Sequence, residues 1–218
     1  LPIALQNLML ASVAAGDALM LGRVAQNEMT AVSLATQIQF VQNMFVAAIT
    51  GAGAILGAQY WGKGDKYTLE NIFNMILRFS GAVSALFFLA CELAPGLLMR
   101  LFTPDAALIS IGSSYLRIAG WSYLLTGISQ CYLAVMKVSE HVKPCAFISS
   151  CAVLLNIGLN AVFIFGLLGA PRMQASGAAL ATTISRIVEL VLCIAVSSQN
   201  TYIRPAPDRF FKLPKLLM

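Results

Sequence analysis

Apolar residues run through this chain in long stretches, and polar residues gather in the short gaps between them. Two-residue alternation, the mark of a half-buried strand, is absent from the stretches. About 20 mostly apolar residues suffice for a helix to cross the hydrocarbon core of a bilayer. The pattern predicts six such spans, near 2–22, 31–61, 72–99, 106–136, 144–168 and 175–196. The gaps carry turn chemistry. Gly62-Lys63-Gly64-Asp65-Lys66 separates the second span from the third, and Thr103-Pro104-Asp105 opens the fourth as a capping sequence. Ser139 to Pro144 divides the fourth from the fifth, and Gly169-Ala170-Pro171-Arg172 the fifth from the sixth. The expected fold class is all-α: a polytopic six-helix transmembrane bundle over residues 1–199, followed by a basic cytoplasmic segment at 200–218.

Composition strengthens this reading. Of 218 residues, 59% are hydrophobic and 11% charged, whereas a soluble domain carries roughly 25% charged residues. There is too little charge to cover a surface in water, so the lipid bilayer is the expected solvent. The net charge of +5 does not point to a nucleic-acid partner, because no stripe of Lys and Arg interleaves with aromatics. Its placement is informative instead. Lys63, Lys66, Lys137, Lys143, Arg204, Arg209, Lys212 and Lys215 fall on one side of the six spans, and Arg23, Arg100 and Arg172 on the other. The richer side is expected in the cytoplasm, which places both ends of the chain there. Leu1 to Gly22 lacks a basic leading segment and a small-residue cleavage site, so it does not read as a signal peptide. The chain reads as beginning inside a longer protein.

Polar groups within spans are costly, and each is a functional candidate. Asp17 lies near the outer end of the first span, where it could exchange a proton or, with neutral oxygens, hold Na+; it could equally be an interfacial cap. Asn156 and Asn160, four apart, share one face of the fifth helix. Their amides could ligate a cation or join helices. Gln37, Gln39, Gln42 and Asn43 make a polar opening to the second span, lining an aqueous cavity or lying at the membrane surface. The sixth span carries Thr182, Thr183, Ser185, Arg186 and Glu189; the last two are spaced to pair. Arg78, Glu92 and Arg117 are expected to snorkel near span ends. Gly53 and Gly57 form a small-xxx-small pair, and Ser176-Gly177-Ala178-Ala179 can act alike. The cysteines, Cys91, Cys131, Cys145, Cys151 and Cys193, lack zinc or disulfide spacing and read as small core residues. His141, the lone histidine, lies in a loop. No catalytic set, cofactor motif or metal cluster is present, and the chain is not expected to be an enzyme.

Four segments together resemble the multidrug and toxic compound extrusion family, the MATE transporters. They are Gly16-Asp17-Ala18-Leu19-Met20-Leu21-Gly22-Arg23, Leu56-Gly57-Ala58-Gln59-Tyr60-Trp61-Gly62-Lys63-Gly64-Asp65, Leu155-Asn156-Ile157-Gly158-Leu159-Asn160 with Ile164-Phe165-Gly166, and Gly177-Ala178-Ala179-Leu180-Ala181-Thr182. The resemblance implies the first of two six-helix lobes in a twelve-helix fold, with a second lobe as partner. It implies export of small organic, often cationic, compounds in exchange for H+ or Na+, in a bacterial inner membrane. It assigns cation coupling to Asp17, Asn156, Asn160 and Thr182. Some relatives carry a second carboxylate where Asn160 stands. The rival readings are a flippase for lipid-linked sugars from the same superfamily, a membrane enzyme, and a structural bundle without transport. Few basic residues, Arg117 and Arg186, are available inside for the anionic headgroup a flippase would carry.

Overall fold

The computed structural model describes residues 26–166, 173–199, 203 and 205. The expected span at 2–22, with Asp17, lies outside them, as does most of the basic segment after Asn200. Among the described residues the chain is helical throughout, without strands: α1 (Gln26–Gly62), α2 (Lys66–Leu93), α3 (Pro95–Arg100), α4 (Ala106–Val138), α5 (Val142–Phe165) and α6 (Gln174–Ser197).

The ends of these helices follow local chemistry. At the end of α1, Gly64 takes a left-handed conformation with φ 74°. Its N–H bonds Trp61 O at 2.9 Å, and the N–H of Asp65 bonds Tyr60 O at 3.0 Å. These two bonds form a Schellman cap, which favours glycine at that position. Asp65 then caps α2 by accepting from the backbone N–H of Thr68 at 3.0 Å and from its hydroxyl. Asp105 caps α4 through Ala107 N at 2.8 Å. The stretch expected as one span over 72–99 is two helices, because α2 stops at Leu93 and α3 restarts at Pro95. Ala94 sits at φ −139° and ψ 45°. The ring of Pro95 drives its predecessor out of the helical region, and Pro95 has no N–H to offer the ladder. The same helix opens at Lys66 rather than near Ile72.

By length and composition α1, α2, α5 and α6 can cross a membrane. α4 is rich in Ser, Thr and Tyr and sits at the centre, packed against α6, α2, α1 and α3. Its position explains its composition. A helix enclosed by other helices can hydrogen-bond its Ser, Thr and Tyr side chains internally, so it does not need the apolarity that lipid demands. Gly112, Gly120 and Gly127 form a seam along it. A Cβ at Gly112 would collide with Met99 of α3, and one at Gly120 would lie 3.1 Å from Cys91 Cβ of α2. One at Gly127 would collide with Ser84 and lie 3.2 Å from Ser80 O, both of α2. Gly53 faces Ile76, and Gly57 faces Leu69 and Val138, so this expected small-residue pair lies at a helix contact.

The outer surface is apolar, with Phe40 60% exposed, Phe79 58% and Leu93 81%, the reverse of a protein bathed in water. Cys91, Cys131, Cys145 and Cys193 are buried, Cys151 is half-buried, and all five are free thiols. The bundle has two recognisable ends. Ile203 packs beside Leu69, Val135, Trp61 and Val138 at one end, where Ser197 Oγ also reaches Ile203 O at 3.3 Å. At the other, Glu28 of α1 accepts from the backbone N–H of Ala175 in the first turn of α6 at 3.1 Å. Lys63, Lys66, Lys137 and Lys143 belong to the first end; Arg100 belongs to the second.

Candidate functional site

α5 brings Asn156 and Asn160 to one face, as their spacing predicts, and that face meets α6. Asn160 is fully buried and Asn156 is 6% exposed. Asn156 Nδ2 donates to Thr182 Oγ1 at 3.3 Å, and Asn160 Nδ2 donates to Asn156 Oδ1 at 3.2 Å. Thr182 Oγ1 in turn donates to Ala178 O, one turn back along α6, at 3.0 Å. Three of the four residues expected to couple a cation thus form one hydrogen-bonded chain across two helices. Asp17 lies outside the described residues. The chain supplies neutral oxygens, which suit Na+ or a protonated carboxyl, but by itself it carries no charge. Helix contact at this level is close: a Cβ on Gly177 would lie 2.9 Å from Phe163 O of α5.

The polar opening of α1 does not gather with these residues. Gln37 and Asn43 are exposed and Gln39 half-buried, whereas Gln42 is fully buried. Gln42 Nε2 donates to Ser84 Oγ of α2 at 3.1 Å and to the carbonyl of Tyr123 in α4 at 3.0 Å. It joins three helices at the centre of the bundle. Its Oε1 has no hydrogen-bond partner among the described residues, an arrangement that costs about 1–3 kcal/mol.

A second polar group lies further along α6. Glu189 is 2% exposed. It accepts from Arg186 Nη1 at 2.7 Å and from Ser129 Oγ of α4 at 3.2 Å. The spacing of Arg186 and Glu189 announces their pairing; the link to Ser129 has no signal in sequence, since any of Ser122, Thr126 and Ser129 could have faced α6. Thr183 adds another crossing, donating to Ile118 O of α4 at 3.1 Å. Arg78 lies well inside α2, with Nε on Asn74 O at 3.3 Å, and Arg117 is exposed on α4. Among the described residues no cluster of His, Cys, Asp and Glu is arranged to hold a metal.

Comparisons with known proteins agree on one family. The MatE profile matches residues 2–162. The uncharacterized transporter YisQ of Bacillus subtilis (strain 168) is 26% identical over 203 residues, covering 91% of this chain and 44% of that protein. A probable multidrug resistance protein NorM of Rhizobium meliloti (strain 1021) is 27% identical over 195 residues, covering 88% and 40%. A solved structure, described as the outward-facing conformation of a multidrug resistance MATE family transporter of the MOP superfamily, superposes with a TM-score of 0.88. Its identity is 17%, covering 99% of this chain and 48% of that one. The chain spans about half the length of the proteins it matches. An all-helical bundle with membrane-length helices, and a family profile running through more than half the chain, leave one assignment: the chain belongs to the MatE family of membrane transporters.

Proposed function

We propose that this chain is one six-helix lobe of an antiporter that exports small organic, often cationic, compounds in exchange for inward flow of H+ or Na+. The observation that carries the reading is the buried chain Asn160–Asn156–Thr182 across α5 and α6. Buried carboxamides within a membrane are costly unless they act together, and these provide oxygens for a cation whose charge Asp17 would balance. Relatives named as multidrug resistance proteins support the substrate class. The lobe's length against its relatives supports a second lobe as partner, with the substrate path formed between the two. The concentration of Lys63, Lys66 and Lys143 at one end supports placing that end, and both termini, in the cytoplasm of a bacterial inner membrane.

In this account Asp17 alternates between an ionised state and a neutral or ion-bound one. Each favours a different packing of the lobe, and the cation shifts the balance between outward-open and inward-open forms by its unequal affinity for them. The flippase reading has less support, because Arg186 is held by Glu189. The test is efflux of a fluorescent cationic dye from vesicles holding the complete exporter, with a proton or a sodium gradient imposed separately. Wild type exports under one gradient and Asp17→Asn does not. Equal gradient-driven export by both would overturn the coupling role.

A further inference from the structure

Arg186 stands one helical turn from Thr182 on α6, about 6 Å along the axis. A cationic guanidinium within about 10 Å of a cation site disfavours the cation, since at an effective dielectric constant of about 20 a unit charge at that range shifts affinity by about ten-fold. The structure places a carboxylate to cancel it. Glu189 is buried, paired to Arg186 at 2.7 Å and hydrogen-bonded by Ser129 of the central helix at 3.2 Å. A buried ion pair adds little to stability over apolar residues of like size, so its presence inside a membrane span calls for another use.

We propose that Glu189 is a charge-compensating residue for the cation site at Asn156, Asn160 and Thr182. It holds Arg186 neutralised and turned along α6, so that the site next to it can accept H+ or Na+. The inference rests on the proposed cation site. Other ionisable groups lie near Glu189 on α6, α5 and α4. Cys193 shares α6, Cys145 of α5 packs with Cys193, and Lys137 of α4 lies close enough to Cys145 to act on it. Tyr132 of α4 lies beside Cys193. Of these only Lys137 carries a charge near neutral pH, and it is cationic, so the arrangement makes Glu189 the local source of negative charge.

The prediction has a sign. In the complete exporter, reconstituted in vesicles, the concentration of the coupling cation that half-saturates dye efflux is measured for each variant. Glu189→Gln leaves Arg186 uncompensated and raises that concentration by about ten-fold. Arg186→Gln leaves the negative charge behind and lowers it. The double variant Arg186→Gln, Glu189→Gln returns it to near the wild-type value. Both single variants raising it alike, with no recovery in the double, would make the pair a packing contact and overturn the proposal, as would no shift in any of them. If Glu189→Gln fails to insert, judged by yield and thermal unfolding, Arg186→Gln and the double variant decide the sign. Thr182→Ala and Asn156→Ala separate the two layers of the argument. If these leave the cation dependence untouched, the cation site itself is misplaced; if they alter it while the Glu189 series does not, only the charge compensation fails.

Discussion

Glu140 ends α4 in the left-handed region at φ 66°. The N–H of His141 bonds Met136 O at 2.9 Å, and that of Glu140 bonds Lys137 O at 3.2 Å, the same cap that Gly64 completes on α1. A side chain there costs about 1–2 kcal/mol, so Glu140→Gly should stabilise the protein by about 1 kcal/mol, read as a higher midpoint of thermal unfolding in detergent. A fall in the midpoint would mean that the exposed Glu140 side chain contributes more than its backbone costs. Asp65, in the turn outside the membrane, gives a pH-dependent case. Hydrogen bonds from the Thr68 hydroxyl, then its backbone N–H, hold the Asp65 carboxyl below its ordinary value of 3.8. A folded-state value below the unfolded one means stabilisation that is complete above about pH 5 and lost as pH falls below 3.8. The stability gap between wild type and Asp65→Ala should therefore be constant near neutrality and narrow at low pH. A gap that stays constant down to strong acid would contradict the cap. At this scale the Asn156 and Asn160 pairing was legible, because helix geometry alone fixes residues four apart. Gln42 was not, because its partners Ser84 and Tyr123 lie 42 and 81 residues away, and no local rule selects them.

Helix by helix, the pattern of apolar stretches anticipated α1, α2, α5 and α6, which are long and apolar enough to cross a membrane, because lipid imposes one length and one polarity on a span. The division at Ala94 escapes hydropathy, since Pro95 and Gly96 are as compatible with lipid as their neighbours; backbone sterics decide it. The central place of α4 also escapes it, though its Ser and Thr content was the available sign. The glycine seam of α4 yields a paired prediction. Gly127→Val should destabilise by about 1–3 kcal/mol or more, because Ser84 and the Ser80 carbonyl occupy the space. Gly51→Ala, where nothing lies within 4 Å, should be neutral or stabilise by up to about 1 kcal/mol through helix propensity. Thermal unfolding of the two variants measures the difference; equal midpoints would mean that α2 and α4 are free to separate.

For the whole molecule, three of the polar side-chain links between helices bear most on the account. Gln42 joins α1, α2 and α4; Asn156 and Thr182 join α5 to α6; Glu189 and Ser129 join α6 to α4. The last two place α6 between a proposed cation site and the central helix, so a change at the site can be passed to the rest of the lobe. Family resemblance grouped Thr182 with the two asparagines, and helix spacing put Asn156 and Asn160 on one face; the contact between Asn156 and Thr182 comes from the structure. Helix-to-helix geometry was needed for Ser129, as nothing along the chain says which hydroxyl of α4 turns toward α6. The most direct test of coupled exchange runs the transport cycle backwards. Vesicles holding the complete exporter are given a gradient of cationic dye and no cation gradient, and the opposing flux of H+ or Na+ is recorded. The account predicts cation counterflow for wild type and none for Asp17→Asn or Asn156→Leu. Dye movement without counterflow in wild type, or counterflow undiminished in both variants, would contradict it.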